Sequence, residues 1–150
     1  MFEPGSLFTA GRDAAARAAM RAGYRVMRCI WRFYRPNDET VGVLIYHEGR
    51  VLAVRHSYRP GYTIPGGRID RGETPAIAAA RELREELSIE AAPEVLVYLR
   101  KLRNRHLMEL VLSSPPGIRI DNREIVEAVF LTPQEAMVRN PTLRRVLERG

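Results

Sequence analysis

Glu82, Glu85 and Glu86 stand three and one residues apart in a segment with the local marks of a helix, which narrows what the chain can become. Thr74 is a capping residue, and Pro75 takes the first helical position, where a missing N–H does no harm. No further proline and no glycine follows before Ser88. Residues at i, i+3 and i+4 share one face of a helix, so the three carboxylates are neighbours. Ala79 lies on that side and leaves space above it, while Ile77, Ala80, Leu83 and Leu87 supply an apolar stripe expected on the opposite face. Crowded carboxylates repel one another. A helix that bears them must turn them to water, as a solvated acidic face does, or set them around a hard cation that prefers oxygen ligands.

The flanking segments read as strands. Val41–Tyr46 and Val51–Val54 are short apolar runs joined by His47-Glu48-Gly49-Arg50, which predicts a hairpin. Tyr62-Thr63-Ile64 is a further short strand closed by Pro65-Gly66-Gly67. Val95–Leu99 and Leu107–Leu112 are expected as strands on either side of a basic turn, Arg100–Arg105, with a loop at Ser113–Gly117 and another strand at Ile125–Leu131. Thr132-Pro133-Gln134-Glu135 is a capping box that opens a helix, and Asn140-Pro141 caps a last one. Strands, a central helix, more strands and closing helices predict an α/β sandwich. At 150 residues the chain has room for one such domain and its core.

The first 36 residues differ in character. They hold seven arginines against Glu3 and Asp13, and so carry +5 of the net charge of +6. From about Arg12 to Phe33 no proline intervenes and alanine is abundant, which predicts a helix. Arg17, Arg21, Arg25, Arg28, Arg32 and Arg35 form one stripe, and Ala16, Met20, Tyr24, Met27, Trp31 and Tyr34 form another. Two units follow: a basic amphipathic arm over 1–36 and a compact domain over 37–150. The arm is expected to pack on the domain or on a second copy in a homodimer. RNA or an anionic membrane are the alternative partners for residues 12–35. No apolar run approaches the roughly 20 residues that span a bilayer. The first residues lack the layout of a secretory signal, and a single cysteine, Cys29, excludes an internal disulfide and a cysteine-based zinc site. A cytoplasmic location is the expectation.

Residues 67–89, GRIDRGETPAIAAARELREELSI, resemble the Nudix box, in which a glycine, a glutamate and an Arg-Glu-apolar-x-Glu-Glu-x-Gly-apolar run follow at fixed spacing. The matching residues are Gly67, Glu73, Arg81, Glu82, Leu83, Glu85, Glu86 and Ile89, and Ser88 replaces the usual glycine. The resemblance covers most of residues 37–150. It implies a Nudix-type α/β/α sandwich with a mixed sheet, preceded here by the amphipathic helix. It implies Mg2+ or Mn2+ as cofactor, and water attack on a diphosphate bond of a nucleoside diphosphate linked to another moiety. Glu82, Glu85 and Glu86 become metal ligands, one of them the catalytic base, with the Gly67 carbonyl as a further ligand. Arg81 and Glu73 become a supporting ion pair beside the catalytic carboxylates.

Family members often recruit another glutamate from outside the box. Glu124 is the first candidate, with Glu127 and Glu109 as rivals; Glu109 alternates with Leu107 and Val111 and so is expected to point inward. Arg55, Tyr58, Arg59 and Arg68 flank the box and are candidate contacts for a small nucleotide-like substrate, and Tyr62 is a further aromatic beside them. His47, His56 and His106 are isolated, with no ligand spacing between them. Landmarks that mark ADP-ribose or dinucleoside polyphosphate enzymes fall in Asn104–Leu107, where neither the proline nor the tyrosine is present. The substrate is therefore named only by class.

Overall fold

A computed structural model describes residues 13–23, 39–120 and 123–148. Residues 13–23 form helix α1, and the remainder of the predicted arm, with its aromatic end, lies outside the described residues. The described helix touches the domain where Arg123 Nε donates to Asp13 Oδ1 at 3.4 Å and where Ser57 Oγ lies 4.0 Å from Met20 Sδ. No helix among the described residues is long and apolar enough to cross a membrane.

β1 (Thr40–His47) and β2 (Arg50–His56) form the predicted hairpin through a two-residue turn at Glu48-Gly49. β3 (Tyr62–Thr63) pairs with the end of β2, and α2 (Pro75–Leu87) follows the Pro65–Gly67 loop. β4 (Val97–Leu102) and β5 (Arg105–Val111) form a second hairpin, and β5 runs parallel to β1. β6 (Ile125–Leu131) runs antiparallel along β2 and completes a six-stranded mixed sheet. α3 (Pro133–Arg139), a 3-10 turn at Pro141–Leu143 and α4 (Arg144–Leu147) close the chain. Both reciprocal bonds of the Thr132–Glu135 capping box form.

Side chains alternate across the strands and build a core on each face. Val41, Val43, Ile45, Leu52, Val54, Met108 and Leu110 meet Ala79, Leu83 and Leu87 of α2 on one side. Leu44, Val51, Ala53, Leu107 and Leu131 meet Ala136 and Leu143 on the other. Helices thus cover both faces, which is the α/β/α arrangement expected.

Three sequence expectations change. The strand expected at Val95–Leu99 begins at Val97, because Pro93–Val95 winds into a 3-10 turn first. The basic turn shrinks to the two residues Arg103-Asn104 between β4 and β5, so Arg100, Lys101 and Arg105 lie on strands. On α2 the apolar and acidic faces abut rather than oppose. Ala79 is fully buried against the sheet, Glu86 is only 9% exposed, and Ile77 is 44% exposed. Ile77 lies about 120° around the helix from Leu83, outside the buried sector. Small alanines let the helix approach the sheet closely, which draws the base of Glu86 into the core with its neighbours.

Candidate active site

The end of α2 meets the Pro65–Gly67 loop where that loop runs beside β1. Val41 N–H donates to the Gly67 carbonyl at 2.8 Å and Val43 N–H to the Pro65 carbonyl at 2.9 Å, so the loop lies along the first part of β1, ahead of its pairing with β2. Gly66 has φ 136°, a region that favours glycine, and a Cβ there would fall on the Val41 carbonyl. A Cβ on Gly67 would fall on the Glu82 carboxylate. The two glycines are therefore what allows backbone and carboxylates to share this space. Gly66 N–H donates to Glu86 Oε2 at 3.0 Å.

Arg81 organises the outer side of the site. Its Nε and one terminal nitrogen donate to the two oxygens of Glu73, both at 2.9 Å, in the bidentate geometry that suits guanidinium and carboxylate. The same terminal nitrogen reaches the Arg68 carbonyl at 2.9 Å, and the other reaches Glu82 Oε1 at 2.9 Å. The Arg81 hydrogen bonds, together with the Asp70 N–H, hold the Glu73 carboxyl down at about 2. Arg81 thus ties the loop, the start of the box and Glu82 into one unit, the supporting role expected of the Arg81–Glu73 pair.

The three box glutamates have different surroundings. Burial pushes the Glu86 carboxyl up to about 8, aided by the charges of Glu82 and Glu124 and opposed by the Gly66 N–H and by Arg59. Burial also raises Glu82, with Arg81 pulling the other way. The Glu85 side chain is 55% exposed and lies 3.5 Å from Arg81, on the outward side of the helix. The single shared face expected from spacing is therefore split: Glu82 and Glu86 face the loop and Glu85 turns to solvent.

Glu124 enters from the residue before β6, held beside the end of β2 by Ser57 N–H donating to its carbonyl at 2.8 Å. Tyr58 Oη donates to Glu124 Oε1 at 3.1 Å, and burial raises the Tyr58 hydroxyl well above its usual range. His56, the last residue of β2, is 4% exposed and presents Nδ1 4.0 Å from Glu124 Oε1. One ligand atom from each of His56, Glu86 and Glu124 lies within 4.8 Å of the other two. Burial, with the charges of Arg59 and Arg105, holds the His56 imidazole down at about 4.

Arg105, expected within a turn, lies on β5. From β5 it crosses Gly42 toward Ile64, whose carbonyl lies 3.5 Å from a terminal nitrogen. Burial brings the guanidinium down to about 10, with the charges of Arg59 and Glu86 acting on it in opposite senses. Strand alternation is the signal for the side on which each of His56 and Arg105 lies. His56 follows Leu52 and Val54 on one face of β2, and Arg105 precedes Leu107 on β5.

Several candidates lie elsewhere. Arg55 alternates onto the other face of the sheet, where its Nε donates to Glu127 Oε2 at 2.9 Å. Tyr62 Oη donates to the second Glu127 oxygen at 2.7 Å, so Glu127 belongs to that cluster and not to the glutamates of α2. Glu109 shares the face of Leu107, away from Met108, Leu110 and α2. Glu127 and Glu109 are thereby set aside as completing residues, and Arg55 as a contact on this side. Arg68 offers its carbonyl to Arg81, and its side chain is exposed. His47 Nδ1 pairs with the Leu112 carbonyl at 3.1 Å and His106 Nε2 with Glu39 at 3.3 Å.

The chain is similar to known proteins. The model of the NUDIX domain matches residues 36–149. A MutT-like protein of Streptomyces ambofaciens is 32% identical over 100 residues, covering 65% of this chain and 65% of its own length. An RNA pyrophosphohydrolase of Gluconobacter oxydans is 40% identical over 62 residues, which cover 39% of this chain and 35% of that protein. The chain thus spans less than two thirds of the length of either relative. Among solved structures, the C. elegans Ap4A hydrolase superposes with a TM-score of 0.60 at 23% identity, covering 69% of this chain and 86% of that one. The E. coli dihydroneopterin triphosphate pyrophosphohydrolase gives 0.58 at 20% identity, covering 67% and 84%. At such identities the structures speak for the fold alone, whereas the match over residues 36–149 reaches through the box, both sheet faces and the closing helices: the chain belongs to the Nudix hydrolase family.

Proposed function

We propose that this chain hydrolyses a diphosphate bond in a nucleoside diphosphate linked to another moiety, with water attacking phosphorus and Mg2+ or Mn2+ bound. The observation that carries the reading is the placement of the Glu82 and Glu86 carboxylates against the Gly66–Gly67 loop with Glu124 close to Glu86, where burial and repulsion raise Glu86 to about 8. Such crowding is relieved by a hard divalent cation, and the donor set of carboxylates with a nearby carbonyl fits one. Glu82, Glu86 and Glu124 would hold it. The Gly67 carbonyl, which already accepts Val41 N–H, keeps one lone pair for the same purpose. When bound, the ion lowers the pKa of a coordinated water and offsets charge on the phosphates.

The chain's own residues supply the rest. Glu82 and Glu86 are the carboxylates positioned to take a proton from the attacking water, since Glu85 points outward. Arg81 keeps Glu82 in place and belongs with the positioning residues. Arg59 sets positive charge toward Glu86 and offers a guanidinium group to phosphate oxygens. Tyr58 orients Glu124 through its hydroxyl. The names of the relatives, an RNA pyrophosphohydrolase and a MutT-like protein, support a nucleotide-like substrate with a phosphoanhydride.

The test is a panel of nucleotide sugars, dinucleoside polyphosphates, nucleoside triphosphates and 5′-triphosphate RNA, each assayed with Mg2+ or Mn2+. At least one compound should be cleaved at a phosphoanhydride. EDTA should abolish that turnover and added metal restore it; undiminished turnover in EDTA would end the metal reading.

A further inference from the structure

His56 is the least explained residue in the described part of the domain. It is 4% exposed at the end of β2, and neither ring nitrogen has a hydrogen-bond partner among the described residues. A buried imidazole ordinarily satisfies at least one nitrogen, because an unpaired polar atom out of water is unfavourable. Its ring does pack on Tyr58, with centroids 5.1 Å apart, but that contact leaves both nitrogens unused.

The surroundings suggest what the nitrogens are for. Nδ1 stands 4.0 Å from Glu124 Oε1, too far for a hydrogen bond. Two ligand atoms of one ion, each about 2.1 Å from it, lie about 3 Å apart when adjacent and about 4.2 Å apart when opposite. A 4.0 Å gap, with a buried imidazole nitrogen on one side and a carboxylate on the other, falls within that range. Glu86 offers a third ligand atom within 4.8 Å of both. Tyr58 donates to that same Glu124 Oε1 and packs on the ring of His56, so it restrains both groups.

We propose that His56 is a direct nitrogen ligand of the divalent ion, which makes this a mixed nitrogen–oxygen centre that favours Mn2+ over Mg2+. The inference rests on the metal-centre reading given above and goes beyond it in ligand set and metal preference. Carboxylates and water serve Mg2+ and Mn2+ alike, but imidazole is a donor suited to first-row transition ions and poorly suited to Mg2+. A site that spends one position on imidazole therefore discriminates against Mg2+.

The experiment uses the full chain, stripped of metal and loaded with one equivalent of Mn2+. Pulsed electron paramagnetic resonance should show nitrogen-14 coupling from a bound imidazole, and this signal should vanish in His56→Gln. By competition, His56→Gln should weaken Mn2+ binding at least tenfold and change Mg2+ binding by less than threefold. Mn2+ that binds without nitrogen coupling, or coupling that persists in a folded His56→Gln, would overturn the ligand assignment and leave the hydrolase reading standing. A wild-type chain that binds neither ion at millimolar concentration would remove the metal centre itself, and this inference with it. The wild-type spectrum decides the matter even if the variant does not fold.

Discussion

Substituting a carboxylate has different consequences at positions 82, 85 and 86, because one helix gives the three residues different neighbours. Glu86 is buried against the loop, Glu82 is held by Arg81, and Glu85 stands in solvent. Glu82→Gln and Glu86→Gln should each lower turnover at least ~100-fold, as loss of a metal ligand or base does, whereas Glu85→Gln should lower it by less than ~10-fold. Steady-state rates on whichever panel compound is cleaved, with circular dichroism to confirm folding, check this; equal losses at all three positions would contradict it. Glu86 also makes a pH prediction for the metal-free protein. Its folded carboxyl sits at about 8, above the ordinary 4.5, so between those values the folded state holds a proton that the unfolded chain releases. Stability should therefore fall as pH rises through that window. His56 acts in the opposite sense between about 4 and 6.5, because its folded value is depressed. The clean interval is pH 6.5 to 8: in EDTA the melting temperature should decline across it, and Glu86→Gln should flatten the slope. A rising melting temperature there would refute the assignment.

Elements defined by local chemistry were legible in the sequence, and those defined by packing were less so. β6 falls at Ile125–Leu131 as expected, because alternation begins it and Thr132-Pro133 ends it. α2 begins at Pro75, with Thr74 Oγ1 accepting from Ile77 N–H at 3.3 Å. Its buried sector was misjudged because spacing alone does not reveal that alanines, rather than Ile77, face the sheet. The same limit explains Glu85: sequence places three carboxylates within a turn, and only the angle of the helix on the sheet separates them. Ser88, the departure from the family pattern, is the left-handed cap of α2, with φ 57°. Its N–H donates to the Arg84 carbonyl, the bond of an αL ending, and Ile89 N–H donates to the Leu83 carbonyl. A non-glycine residue there bears a strain of about 1 kcal/mol. Ser88→Gly should therefore raise the melting temperature by about 2–4 °C with turnover unchanged, since no candidate ligand moves. Thermal denaturation measures this, and a lower melting temperature would show that Ser88 Oγ, 3.4 Å from the Arg119 carbonyl, outweighs the strain.

On the scale of the whole molecule, the site exists because the sheet brings distant segments together. β2 ends beside the start of β6, which pairs His56 with Glu124, and α2 delivers Glu82 and Glu86 to the loop that runs along β1. The box glutamates and Glu124 could be named from the sequence. What His56 and Arg105 face is set by which strands become neighbours, and strand alternation alone gives only their side of the strand. The described helix α1 contacts Ser57 and Arg123, the residues next to His56 and Glu124 in sequence, so residues 13–23 lie near the site. All of these placements serve one claim, that the carboxylates direct water onto phosphorus. The most direct measurement of it is isotope incorporation: turnover of the cleaved panel compound with Mn2+ in oxygen-18 water, read by mass spectrometry of the products. The account predicts one labelled oxygen, bound to phosphorus in one product, with no turnover in EDTA. Cleavage that leaves every phosphate unlabelled would contradict it.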